Sequence, residues 1–266
     1  RSGRHEGSLR DPAPRTPMKY IDPHIHMVSR TTDDYMRMAQ AGCVAITEPA
    51  FWAGYDRCSV DGFRDYYRQL TETEPARAAQ YGIHHHCWLC INPKEAEDVG
   101  FAREVMSCLP EFLDKSNVLG IGEIGLNKNS RNEMTILEAH LELAKSLDSL
   151  VLVHTPHLED KLKGTQLIMD AVNNAGLQPD KVLIDHVEEH TVGEVLERGF
   201  WAGMTLYPDS KCTPQRAVDI LERWGTDRIW MNSAGDWGNS DPLAVPKAQV
   251  EMRLRRHPSA MIEKGT

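Results

Sequence analysis

The chain contains no run of about 18 consecutive apolar residues, which excludes a membrane-spanning helix on sequence grounds. It also lacks a basic segment followed by an apolar h-region near its start, so an export signal is not read there. Positive charge is in deficit: Lys plus Arg is 30, Asp plus Glu is 39, and the net charge is −9. That balance argues against a protein whose main task is to coat nucleic acid or an anionic membrane, and favours a small-molecule partner. It leaves room for bound cations that supply positive charge locally. The six cysteines are too few and too scattered for a disulfide framework, and only Cys87 and Cys90 have redox-motif spacing. They lie in an apolar run where residues three apart on a strand face opposite ways, so buried, reduced thiols and a cytoplasmic location are expected. Also missing is a Gly-rich phosphate turn after the first strand-like segment, which a doubly wound dinucleotide fold would need.

What is present is a regular alternation. Residues 1–17 are rich in Arg, Gly, Ser and Pro and read as a disordered leader or a cloning remnant; residues 18–266 read as one domain. Strands are expected at residues 20–26, 43–47, 83–91, 118–124, 150–154, 182–186, 200–206 and 228–232. Helices are expected between them at 33–40, 60–81 (interrupted at Pro75), 95–114 (broken at Pro110), 132–148, 165–175, 192–198 and 214–224, with a last one at 246–257. Runs such as Leu150-Val151-Leu152-Val153 are continuously apolar, as parallel strands covered by helices require. Eight strand–helix units in about 250 residues fit an α/β fold, a (β/α)₈ TIM barrel.

In such a barrel the functional side chains come from the C-terminal ends of the strands. Here the first strand ends in His24-Ile25-His26, the fourth in Gly122-Glu123-Ile124-Gly125-Leu126, the fifth in His154 and the sixth in His186. The eighth runs into Ser233-Ala234-Gly235-Asp236. The period of two along a strand puts His24 and His26 on one face with Ile25 turned away. Four imidazoles and two carboxylates at one rim suit divalent metals such as Zn, Mn or Fe. Six ligands exceed the need of one tetrahedral ion and suffice for two that share a carboxylate. Asp236 is the candidate catalytic acid and base as well as a ligand.

At these residues the chain resembles the TatD-like metal-dependent hydrolases, a branch of the amidohydrolase-type barrels. The likeness runs from Tyr20 to about Pro242 and rests on Asp22-Pro23-His24-Ile25-His26, Gly122-Glu123-Ile124-Gly125-Leu126, His154 and His186. It implies that His24, His26, Glu123 and Asp236 hold one ion and that Glu123, His154 and His186 hold the other. It also implies departures. Cys90-Ile91-Asn92-Pro93-Lys94 stands where nuclease-like members carry Gly-x-His-Pro-His, and Asn127 replaces an aspartate. Thr155-Pro156-His157 replaces Cys-Arg, removing a bidentate phosphate clamp. A gapless alignment puts Ala234, not Asp236, at the strand-eight aspartate.

The metal centre therefore reads as retained and the substrate shell as rewritten. The expected activity is two-metal hydrolysis of a small ester, amide, lactone or phosphoester. A TatD-type deoxyribonuclease, a one-metal decarboxylase- or isomerase-like barrel and an inactive scaffold in a biosynthetic assembly remain as alternatives, and the oligomeric state is left open. His157, Trp52 and Trp237 are candidate substrate contacts, Lys94 and Lys211 candidate anion contacts. The tract His84-His85-His86 falls early in the third strand, at the end away from the site, and reads as structural. Glu188 or Glu189 could support a ligand, with at least one of them on the surface.

Overall fold

In the computed structural model, which describes residues 18–156 and 160–255, eight parallel strands follow one another in chain order around a nearly closed barrel. The elements are β1 (Tyr20–Asp22), α1 (Thr32–Gln40), β2 (Cys43–Pro49), α2 (Val60–Arg68), α3 (Glu74–Ala79), β3 (His84–Leu89), α4 (Val99–Cys108), α5 (Pro110–Leu113) and β4 (Val118–Gly125). They continue with α6 (Arg131–Ser146), β5 (Leu150–His154), α7 (Lys161–Ala175), β6 (Val182–Ile184), α8 (Val192–Glu197), β7 (Trp201–Thr205), α9 (Pro214–Trp224), β8 (Ile229–Asn232) and α10 (Ala244–Leu254). The leader, His157 and the end of the last expected helix lie outside the described residues.

Several boundaries differ from expectation for identifiable reasons. β1 stops at Asp22 because Pro23 has no N–H to give the ladder. α6 starts on a capping box in which Ser130 and Glu133 satisfy each other's backbone N–H. Pro75 does not interrupt its helix. A wide π turn at Gln69–Thr73 precedes it, and Pro75 falls in the first turn of α3, where a missing N–H leaves no bond unmade. On the fourth helix, the Asp98 side chain caps α4 at the Phe101 N–H, so the helix begins at Val99 rather than at Glu95.

The strands sort their side chains by the period of two. Val151 and Val153 of β5, Val182 and Ile184 of β6 and Ala202 and Met204 of β7 join the large core under the helices. Their inward neighbours form a second cluster: Trp88, Leu152 and Leu183, with Leu119, Trp201 and Trp230 packed against it. These apolar residues fill the lower part of the barrel. One step toward the C-terminal ends of β5, β6 and β8, the inward positions turn polar, at His154, Asp185 and Asn232. The seam between β1 and β8 is tied by the buried Asp22, whose Oδ1 accepts from the His24 and Ser233 N–H groups. Ala234 N donates to His24 O at 2.8 Å across the same seam.

Five cysteines are buried, Cys58 alone is exposed, and all six are free. Burial pushes the Cys43 and Cys212 thiols up to about 12. A thiol reagent such as Ellman's is therefore expected to modify Cys58 quickly in the native protein and the remaining five only after denaturation. Fast native labelling of Cys87 or Cys90 would contradict this packing.

Candidate metal centre

The polar layer above the apolar plug begins with the segment after β1. That segment stays extended through bonds to both neighbours: Ile25 N donates to Thr47 O at 3.1 Å and His26 N to Gly235 O at 2.8 Å. His24 and His26 consequently face each other, with Nε2 atoms 3.0 Å apart. Phe51, from the segment after β2, stacks on the His26 ring with centroids 3.9 Å apart and planes 14° apart, which fixes that imidazole.

Glu123 lies between two pairs of imidazoles. Its Oε2 is 3.1 Å from His154 Nδ1 and 3.3 Å from His186 Nε2. Its Oε1 is 3.8 Å from His24 Nε2 and 3.9 Å from His26 Nε2. Asn92 Nδ2 donates to the same Oε1 at 3.3 Å, so the residue that departs from the family motif after β3 holds the central carboxylate. Burial works to raise the Glu123 pKa, but the charge of His24 and the bonds from His154 and His186 outweigh it and hold the carboxyl well below its usual range.

The donor set fits cations. His154 Nδ1 and His186 Nε2 are 3.1 Å apart, and two facing ring nitrogens cannot both carry a proton. Among the described residues, the buried His154 Nε2 and His26 Nδ1 atoms find no hydrogen-bond partner. Among the described residues, three groups have ligand atoms within 4.8 Å of one another: His24 with His26 and Glu123, Glu123 with His154 and His186, and His24 with Asp185 and His186. Imidazoles converging on a shared carboxylate in a closed pocket form a site for borderline divalent metals.

Asp185 was not anticipated from the sequence. It is fully buried. Its Oδ2 lies 2.5 Å from His24 Nδ1, and its Oδ1 accepts from His186 N at 2.7 Å and Asn232 Nδ2 at 2.9 Å. Burial works to raise its pKa, but the charge of His186 and the bond from His24 outweigh it and keep it ionised. The proton of His24 therefore sits on Nδ1, leaving Nε2 free to face Glu123 and His26, the carboxylate–imidazole pairing that orients metal ligands. Gly203 makes room for it: a Cβ there would come within 2.3 Å of Asp185 Oδ1. The period of two could have revealed it, since Asp185 follows inward-facing Leu183 by two. His186, on the outward phase, reaches the site only because its φ is +60°.

Asp236 is placed differently from the sequence expectation. It lines the same cavity but belongs to none of the three ligand groups. Its Oδ1 accepts from Tyr207 Oη at 2.9 Å and Gly238 N at 2.8 Å, and Arg30 Nη1 donates to its carbonyl at 2.7 Å. The backbone turns at Ala234, with φ +41°, and carries the aspartate out to the rim. Trp52 and Trp237 both line the cavity, with Phe51, Asn92, Lys94, Tyr207 and Lys211. The His tract also resolves: His85 pairs with Glu48 at 2.9 Å in a buried contact away from the cavity. Glu189 is exposed and binds Arg216, whereas Glu188 lies 3.5 Å from the buried Lys161.

A profile of the TatD related DNase family matches residues 21–229. The chain belongs to the TatD family. It is a TatD-family metal-dependent hydrolase. It is 27% identical over 236 residues to an uncharacterised metal-dependent hydrolase of Methanocaldococcus jannaschii, covering 88% of this chain and 90% of that protein. Among solved structures, a TatD-like protein of Archaeoglobus fulgidus superimposes with a TM-score of 0.75 at 26% identity, over 91% of this chain and 95% of that one. An organophosphorus hydrolase of Deinococcus radiodurans shares the fold, with a TM-score of 0.63 at 12% identity over 89% of this chain and 86% of that one.

Proposed function

We propose that this TatD-family chain is a two-metal hydrolase of small esters, amides, lactones or phosphoesters. One ion would be held by His24, His26 and Glu123, the other by Glu123, His154 and His186. The observation that carries this reading is the position of Glu123 between two imidazole pairs. Bound there, such ions supply Lewis-acid polarisation of the scissile bond and a water acidic enough to attack near neutral pH. The chain's own residues do the rest. Asp185 fixes His24, Phe51 fixes His26, and Thr205 Oγ1 lies 2.6 Å from His186 Nδ1, fixing that ring. Asp236 is assigned the proton transfer to the leaving group rather than a ligand role, since Tyr207 and Gly238 occupy only its Oδ1.

The site opens into a cavity of about 220 Å³, which supports a small substrate over a long nucleic acid. No helix among the described residues is long and apolar enough to cross a membrane. Six unpaired cysteines support a reducing, cytoplasmic setting.

Metal analysis of protein purified without chelator is expected to find about two divalent ions per chain. A panel of 4-nitrophenyl phosphate, bis(4-nitrophenyl) phosphate, lactones and single-stranded DNA, run with added Mn²⁺ or Zn²⁺, then locates the activity. Less than one ion per chain with no turnover restored by metal would refute the proposal. Turnover of DNA alone would return the chain to the nuclease reading.

A further inference from the structure

Among the described residues, two lysines face this cavity without a carboxylate partner. Lys211 and Lys94 both line it. No acidic oxygen lies within 4 Å of either ammonium among the described residues, in a protein whose net charge is −9. Lys161, nearby and buried, shows the usual arrangement: it donates to His186 O at 2.7 Å and lies 3.5 Å from Glu188. A partly buried ammonium left unpaired is unfavourable unless something supplied later completes it.

Lys211 is held in place. Its N–H donates to Tyr207 O at 3.2 Å, and its carbonyl accepts from Arg216 Nη1 at 2.7 Å. Arg216 is itself fixed by a two-pronged contact with Glu189, at 2.7 and 2.6 Å. The ammonium sits 5.2 Å from the Tyr207 ring centroid. It lines the same cavity as His24, His26, His154 and His186. An ammonium beside a centre proposed to hold two divalent cations is repelled by them unless an anion lies between.

At the rim, Lys94 stands 5.0 Å from the Trp52 ring centroid. Trp52 is anchored by its Nε1 donating to Asp56 at 2.9 Å. Trp237 lies across from it, centroids 6.1 Å apart and planes at 60°, and is 55% exposed. Two indoles at a cavity mouth offer flat apolar surface, with the cation displaced to one side.

We infer that Lys211 is a specificity-determining residue that admits substrates whose reacting group carries a negative charge, with Lys94, Trp52 and Trp237 holding a flat apolar remainder. This rests on the hydrolase reading and narrows it: of the substrates considered, singly or doubly charged phosphoesters of a small flat alcohol are preferred over neutral triesters and lactones. Lys211 takes over, from the loop after β7, the anion contact that Pro156, at the arginine's place, cannot make.

Three compounds with one leaving group isolate the charge: 4-nitrophenyl phosphate, bis(4-nitrophenyl) phosphate and the neutral diethyl 4-nitrophenyl phosphate. In the metal-loaded wild type, kcat/KM is expected to be higher for the two anions. Lys211→Met is expected to lower it about 10- to 100-fold for the anions, to change it less than threefold for the triester, and to be largely rescued by Lys211→Arg. Inorganic phosphate titrated calorimetrically into each loaded protein reads the subsite without turnover; Lys211→Met is expected to weaken it about tenfold. A wild type that prefers the triester, or a Lys211→Met loss equal for all three compounds, overturns the inference and leaves the hydrolase reading standing. Absence of turnover with all three counts against the hydrolase reading instead, and phosphate binding indifferent to Lys211 then overturns the inference separately.

Discussion

Replacing Glu123 by alanine is expected to reduce kcat at least about a thousandfold, equivalent to roughly 4 kcal/mol of transition-state stabilisation. One carboxylate serves both imidazole pairs, so its removal damages both proposed ion sites at once. The same change should erase the protein's thermal response to metal. An ion present at 100 to 1,000 times its Kd stabilises the native state by roughly 3–4 kcal/mol. In a barrel of this size each kcal/mol moves Tm by about 2–4 °C, so chelation should lower the wild-type Tm by about 10 °C. Scanning calorimetry with and without chelator should show that drop in the wild type and almost none in Glu123→Ala. Glu123→Gln, which keeps the volume and a partner for Asn92, separates charge from packing and should behave like alanine in the metal response. A substituted protein that still gained stability from Mn²⁺ or Zn²⁺ would remove Glu123 from the centre.

The second large effect is assigned to Asp185, which the proposed chemistry never uses directly. Asp185→Asn keeps the size of the side chain and the Asn232 neighbourhood while removing the charge that holds the His24 proton on Nδ1. An amide N–H turned toward His24 would drive that proton to Nε2, the nitrogen that faces Glu123 and His26. Metal affinity is expected to fall about 10- to 100-fold, as loss of a supporting carboxylate behind a ligating imidazole usually does. Competition with a fluorescent chelator measures this independently of turnover. Gly203→Ala should act in the same direction by crowding Asp185 Oδ1. Unchanged metal affinity in Asp185→Asn would show that the carboxylate serves packing alone.

Of the six candidate ligands read from strand ends, the side chains of five are brought together in space, and this follows from how little that reading demanded. A strand-end histidine after an apolar run needs only the strand's position, and the apolar runs gave that to within a few residues. Where the reading relied on strict alternation it met exceptions. His24 and His26 share a face although their segment lies past the end of β1, because backbone bonds to Thr47 and Gly235 keep it extended. His186 sits on the wrong phase of its strand and still points inward, by virtue of one left-handed residue. Asp185, on the right phase, was eclipsed by the histidine beside it. Asp236 was read as a ligand from its distance along the chain to β8, and the turn at Ala234 sends it to the rim.

The amino-acid sequence by itself determined the number of strand–helix units, the parallel barrel, and the supply of imidazoles and carboxylates at one end of it. Those follow from local periodicity and from the need of each apolar run to be covered. Tertiary structure decided which of those polar groups touch. That Glu123 is shared, that Asp185 backs His24, that Asp236 turns to Tyr207, and that Lys211 finds no carboxylate partner among the described residues all depend on positive-φ residues and on bonds between segments as far apart in the chain as Asp22 and Ser233. Contacts of that range are set by closure of the whole barrel and leave no periodic signature in the chain.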